Sequence, residues 1–228
     1  MSAPAIERYA WGGGEETMLR FGPAAGPVVV LALPLFEEAN RTRAFAVTLL
    51  RALADRGIGG ALPDLPGTGE SLIPTSDLDL LHLRQAFEAA VEHVWAQRRA
   101  FAVALRSGAL LDTLPLVTGR WHFAPQNGAN LVRELSRIAP LADETEAVVE
   151  IAGNRLPRDF LAALGGAAPI EADDGAAMRV VRLDTDPRPA DRKIAAKPLW
   201  RRSEPDNDLE LVELLGDDIA QWIATCAG

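Results

Sequence analysis

The sequence is poor in the residues that build metal centres and nucleophilic relays. It has one cysteine, one tyrosine and three histidines in 228 residues. The single thiol, Cys226, excludes an internal disulfide and is compatible with a reducing cytosol. No C-x-x-C, H-E-x-x-H or H-x-H spacing occurs, so no metal is expected. Gly12-Gly13-Gly14 is not followed by G-K-[ST] and reads as a turn, and no G-x-G-x-x-G follows a predicted strand. No cofactor is therefore expected. Nor is there a run of about 18 apolar residues to span a membrane. The opening, MSAPAIERYAWGGGEE, has no apolar signal-peptide core, and the expectation is a soluble cytoplasmic protein. Basic excess is missing as well. The 23 Lys and Arg face 32 Asp and Glu, for a net charge of −9, which argues against nucleic acid.

What is present suits one globular domain over residues 1–228: 48% hydrophobic and 24% charged residues, enough for a sizeable core. AIERYAW and ETMLRFG predict an opening hairpin. GPVVVLALP is a continuous apolar run, the pattern of a strand buried on both faces. NRTRAFAVTLLRALADRG carries helical periodicity, with Asn40 as its expected N-cap and Gly57 as its stop. IGGALPD is a second strand. A long helix follows over roughly 77–97, its stripe running through Leu80, Leu83, Phe87, Val91 and Val94. AFAVAL, a short helix in GALLDTLP, and GRWHFAP complete the regular part. Strands alternating with helices predict a parallel, doubly wound sheet covered on both faces, an α/β fold. Its ligand site is expected outside the carboxyl ends of the strands.

Beyond residue 125 the pattern loosens. A helix in NGANLVRELSRIAPLADE, an extended AVVEIAGNRLP and a helix in PRDFLAALGG predict a small lid inserted over residues 125–170. AMRVVRLDTD returns to the sheet, PRPADRKIAAKP reads as a polar loop, and a last helix carries a stripe of Leu209, Val212, Leu215, Ile219 and Trp222. Its acids read as a solvated face.

Two stretches carry a resemblance. DLPGTGES, and the strand-to-helix turn Ala104-Leu105-Arg106-Ser107-Gly108, resemble the second-strand turn and the nucleophile elbow of α/β-hydrolases. That family implies an α/β-hydrolase fold for nearly the whole chain. More narrowly, LPLFEEANRTR, PDLPGTGES, ALRSGALL, EIAGNRLP and KPLWRRSE resemble the hydrolase-like family associated with exosortase A systems. Those proteins accompany bacterial exopolysaccharide and protein-sorting clusters. Glu37, Glu38 and Asn40 match its F-x-E-E-x-N loop. Arg106 and Gly108 match its G-L-R-x-G elbow, with Ala104 for the first glycine. Glu150, Ala152 and Gly153 match its E-V-A-G-Y segment, with Asn154 for tyrosine. Pro198, Trp200 and Glu204 match its tail, with Leu199 for phenylalanine.

The chemistry such a fold usually performs needs a hydroxyl, a histidine and an acid, in the chain order Ser, acid, His. Here arginine stands at the nucleophile's place, and His82, His93 and His122 all precede the last strands. Asp184 or Asp186 stands where the acid would, with no histidine after it. The serine relay therefore reads as lost. Ser107 lies one residue past the tip and is expected to face helix packing. His122 ends a strand, where it can reach the cleft or be held locally. Ser107 or Ser71 with His122, and Asp184 as acid, are the candidates for an unconventional esterase or thioesterase.

Arg106, above a helix N-terminus, can anchor an anionic small molecule or pair internally with Glu37 or Glu38. Glu37, Glu38, Asn40, Trp200 and Glu204 complete the expected ligand-binding set; Phe36 and Trp121 can line the cleft as well, although aromatics at such positions are more often core. The expected function is ligand binding or accessory work in exopolysaccharide or exosortase systems. Homodimer formation is left open, and neither nucleic acid nor membrane is an expected partner. A third reading is an interaction protein docking through its lid, for example at Phe160 and Leu161.

Overall fold

The computed structural model describes residues 3–113, 117–138, 147–151, 153–171, 175–201 and 207–226. β1 (Ala5–Trp11) and β2 (Gly14–Phe21) form the opening hairpin. β3 (Val28–Ala32), α1 (Glu37–Asp55), β4 (Gly59–Pro63), α2 (Leu80–Trp95), β5 (Ala100–Leu105) and β6 (Gly119–Phe123) then alternate. α3 (Gly128–Ile138), the pair β7 (Val148–Ile151) and β8 (Asn154–Pro157), and α4 (Arg158–Gly165) come next. β9 (Ala177–Leu183), β10 (Arg192–Ile194) and α5 (Leu209–Thr225) close the chain.

Eight strands join in one sheet in the order β1-β2-β4-β3-β5-β6-β9-β10. β2 runs antiparallel to β1 and β4, and every pairing from β4 onward is parallel. Side chains alternate between the sheet's two faces. Val28, Val30, Ala102 and Ala104 point to one layer, where Phe87, Val91 and Val94 of α2 cover them. Val29, Leu31, Phe101, Val103 and Trp121 point to the other, against Phe45, Leu49 and Leu53 of α1 and Leu215 and Ile219 of α5. The small residues of the first layer let α2 lie close to the strands. Leu131 and Leu135 of α3 join that same core, as do Ile151, Leu156, Phe160 and Leu161.

The sheet is the one the apolar runs predict, with local departures. α1 begins three residues before Asn40, which lies in its first turn, and Phe36 takes the cap position without a side-chain bond. AVVEIAGNRLP is an antiparallel hairpin turning at Gly153. The loop PRPADRKIAAKP contains β10, because Arg192–Ile194 pairs with the otherwise open edge of β9. In place of the short helix predicted in GALLDTLP, a 3₁₀ turn spans Arg106–Leu110; Leu114 and Pro115 lie outside the described residues. Leu209 is 67% exposed and lies outside the buried stripe of α5. Asp218 in that helix is buried rather than solvated: it accepts from Trp121 Nε1 at 2.9 Å and binds Arg179 and Arg192. Among the described residues no helix is long and apolar enough to cross a membrane.

Candidate functional site

The sheet order reverses between β3 and β5, because one chain end turns toward β4 and the other toward β6. A crevice opens at such a switch point, at the carboxyl ends of the strands. Strain gathers there. The non-glycine residues with positive φ among those described are Phe36 (φ 60°), Arg106 (φ 53°) and Ala124 (φ 48°). They follow β3, β5 and β6, three adjacent strands. A left-handed conformation in residues of this kind costs of order 1–3 kcal/mol and persists where the surrounding packing over-determines it. At Arg106 it makes the sharp strand-to-turn reversal that sets this side chain at the crevice. Gly108 permits the turn, since a Cβ there would lie 2.5 Å from the Leu33 carbonyl oxygen.

Arg106 is only 7% exposed, and its charge is answered on several sides. Nε donates to Glu38 Oε2 at 3.3 Å and Nη2 to Glu38 Oε1 at 3.2 Å. Nη2 also reaches Glu134 Oε2 at 3.5 Å, and Gln126 Nε2 holds that oxygen at 2.8 Å. The guanidinium carbon lies 4.4 Å from the centre of the Trp200 ring. Burial pushes the Glu38 carboxyl up from its ordinary value and Glu134 adds to this; Arg106 and Arg41 pull it back only in part. Glu37 turns away, pairing with Arg41 at 2.6 Å.

Above this pair lies a cavity of about 360 Å³ bordered by Arg106, Arg133, Arg137, Arg188 and Arg201. Two acids share its wall. Asp186 is taken up by Arg188 at 2.7 Å and Arg182 at 3.1 Å. The Arg188 hydrogen bond above all holds its carboxyl well below the usual carboxylate range. Glu134 is the other. In a chain of net charge −9, five arginines around one opening make a local positive field.

The expected site residues divide sharply. Arg106, Glu38 and Trp200 meet in the crevice. Glu37 lines a neighbouring cavity with Glu38, Trp200 and Arg201. Asn40 is exposed and faces a separate apolar cavity. Glu204 and Ala152 lie outside the described residues. Trp121 does not line the crevice: it is fully buried in the opposite layer, on Asp218. Phe36 packs edge-on against Phe160, ring centres 5.9 Å apart.

Ser107 is fully buried, and its Oγ accepts the Leu35 N–H at 2.9 Å. His122 is fully buried too, its Nε2 2.8 Å from Asp112 Oδ2, while Arg120 Nε lies 3.3 Å from Asp112 Oδ1. Asp184 is exposed, and its backbone N–H bonds the Ile194 carbonyl. Ser71 donates to Glu16 at 2.8 Å. Among the described residues no hydrogen bond joins Ser107 or Ser71 to His122, or His122 to Asp184.

Sequence reasoning missed Glu134, Gln126, Asp112 and the arginines of α3. A signal existed for the helix: Asn130, Arg133, Glu134 and Arg137 share the face opposite Leu131 and Leu135, at steps of three and four.

Comparison with solved structures defines the fold. A protein of Agrobacterium vitis S4 described as a candidate hydrolase superposes with a TM-score of 0.66 at 16% identity, covering 96% of this chain and 98% of that one. Est1E from Butyrivibrio proteoclasticus, solved with ferulic acid bound, gives 0.63 at 12% identity, covering 97% and 99%. A Xanthomonas campestris protein described as an α/β serine hydrolase without a lid gives 0.58 at 15%, covering 97% and 96%. The chain has the α/β-hydrolase fold. No family model matches it, and no curated protein matches it.

Proposed function

We propose that this chain is an α/β-hydrolase-fold protein without serine-relay catalysis, which binds an anionic small molecule in the arginine-lined crevice above Arg106. One observation carries the reading. The elbow tip, where the fold presents a nucleophile, holds a guanidinium forked onto Glu38, and the adjacent Ser107 hydroxyl is buried and bonded to Leu35. Guanidinium groups give paired donors that match carboxylate and phosphate oxygens. An anion entering the 360 Å³ cavity meets Arg188, Arg133 and Arg137 at its walls. Glu38 keeps Arg106 oriented and neutralised until the anion takes over one side of the fork.

Accessory work in exosortase or exopolysaccharide systems, and a cytoplasmic location, belong to the same proposal. They rest on the resemblance of the short motifs and on the composition. The insertion expected over 125–170 serves in this reading as a lid; its Phe160 and Leu161 are core residues, so substitutions there disturb packing before any docking surface.

A second reading, a hydrolase with a relocated set, is favoured by the Asp112–His122 contact, which resembles an acid holding a base. Purified wild type, Ser107→Ala and His122→Asn are assayed on p-nitrophenyl butyrate. We expect equal, background turnover in all three. Turnover abolished by Ser107→Ala or His122→Asn would sink the non-catalytic reading.

A further inference from the structure

A second cavity, of about 160 Å³, lies between the chain leaving β3 and the chain leaving β4. It stands on the far side of the Leu33–Phe36 segment from the elbow turn, away from the switch point. Leu35, Phe36, Leu65, Leu78 and Leu83 give it apolar walls. Asn40 and Arg43, one helical turn apart on α1, bring polar groups to it.

The walls are held from outside. The Asp64 carboxylate accepts from Arg43 Nη2 at 2.9 Å, Thr17 Oγ1 at 3.0 Å and the Glu70 N–H at 3.4 Å, and its carbonyl accepts from the Tyr9 hydroxyl at 2.6 Å. Thr68 Oγ1 accepts the Leu65 N–H at 2.8 Å. Gly69, at φ +56°, lies so close to Asp64 that a Cβ would meet Oδ1 at 2.2 Å. Small-molecule sites are largely pre-formed, apolar concavities with a few polar groups placed to orient the ligand. This loop meets that description.

Size and charge narrow the occupant. An engineered apolar cavity of roughly 150 Å³ accommodates benzene. Among the described lining residues Arg43 is the charged one, and no carboxylate lines the cavity with it. Asp64 takes one nitrogen of that guanidinium and fixes its position. A guanidinium has five N–H donors, and among the described residues Asp64 is the one acceptor this guanidinium meets.

We propose that this cavity is a binding site for a small carboxylate with an apolar body of about six carbons, aliphatic or monocyclic. The body lies among the leucines, and the carboxylate meets Arg43 and the Asn40 amide. The site is separate from Arg106 and does not rest on the anion-binding reading of the elbow.

Calorimetric titration with acetate, hexanoate, hexanol and phenylacetate tests this on the full chain. Each buried methylene is worth roughly fourfold in affinity, so hexanoate or phenylacetate should bind at least about tenfold more tightly than acetate. Hexanoate should also exceed hexanol. Ala39 lies in the cavity wall, and Ala39→Leu fills the space from a helix position that tolerates leucine. This variant should erase the advantage over acetate, and Arg43→Gln should erase the advantage over hexanol. If Arg43→Gln fails to fold, the hexanol comparison alone decides the carboxylate. Hexanoate and phenylacetate binding no tighter than acetate, or gains untouched by Ala39→Leu, would overturn the site. Gains that vanish instead with Arg106→Gln would assign the apolar body to the elbow crevice and overturn it equally.

Discussion

Glu38 reaches Arg106 with both carboxylate oxygens across the gap between the chain ends of β3 and β5, at 3.2 and 3.3 Å. The pair ties the start of α1 to the elbow. It also sets two opposed properties of the crevice: Arg106 is positioned for an anion, and it is already half satisfied. A buried pair of this kind is weak evidence for stability, because desolvating both charges costs about what their attraction returns. Its meaning lies in what happens when one partner changes.

Glu38→Gln removes the competing charge while keeping an oxygen that accepts from Arg106. Sulfate affinity should rise about three- to tenfold, since the guanidinium then seeks its counter-charge from solution. Stability at neutral pH should hold or rise slightly, because burial already disfavours the charged carboxyl in the folded state and Gln carries no charge. A urea midpoint and a sulfate titration on the same preparation check both signs. Unchanged affinity would separate Glu38 from the binding function.

The same pair sets a pH dependence. Burial raises the Glu38 carboxyl above the ordinary glutamate value of 4.5. The folded state therefore binds this proton more readily than the unfolded chain. The resulting stability is fully present below pH 4.5 and is lost as pH rises through the raised value. Protonation also releases Arg106, so sulfate binding should strengthen as pH falls through that range. Sulfate keeps its charge there, which makes it the proper probe. Glu38→Gln should flatten the profile.

Asp218 titrates the other way. Burial raises its carboxyl, but hydrogen bonds from Arg179, Arg192 and Trp121 outweigh that and hold it at about 2, below the ordinary 3.8. Its contribution to stability is present above pH 3.8 and is lost as pH falls toward 2. Asp218→Ala strands Trp121 Nε1 and two arginines, and should cost about 3–5 kcal/mol at neutral pH. Acid unfolding followed by circular dichroism, wild type against Asp218→Asn, reads the difference. Coincident acid transitions would count against this role.

Ser107→Ala removes the oxygen that accepts the buried Leu35 N–H. The unpaired donor should cost about 1–3 kcal/mol in unfolding free energy. Turnover of p-nitrophenyl butyrate should not move. A stability loss with unchanged turnover marks a serine that braces the β3 exit rather than one that attacks a carbonyl.

Much of the sheet was legible because its cause is local. GPVVVLALP and AFAVAL are apolar without alternation, and only strands covered on both faces need that. β10 was not legible: three residues, Arg192–Ile194, become a strand because β9 offers an open edge, and nothing in RKI announces this. The same limit applies to Asp218, whose burial depends on two arginines from distant strands meeting it over the Trp121 ring. At the crevice, Arg106 was legible from its place in ALRSGA, and Glu38 from the loop that follows β3. Glu134 could be placed on the polar face of α3 opposite Leu131 and Leu135, but that this face turns toward the elbow is settled by how those leucines enter the core. Trp121 is core, the commoner fate of an aromatic at such a position. Strand parity places it on the α5 side, and sequence alone did not fix that parity.

The central claim is that the elbow presents a cation for an anion rather than a nucleophile for an ester. Calorimetric titration of sulfate into wild type and Arg106→Gln, at one pH and ionic strength, tests it most directly. The expected result is saturable binding at one site, weakened at least about tenfold by the substitution, with both proteins folded. Sulfate that fails to bind wild type, or binds the variant equally well, would contradict it.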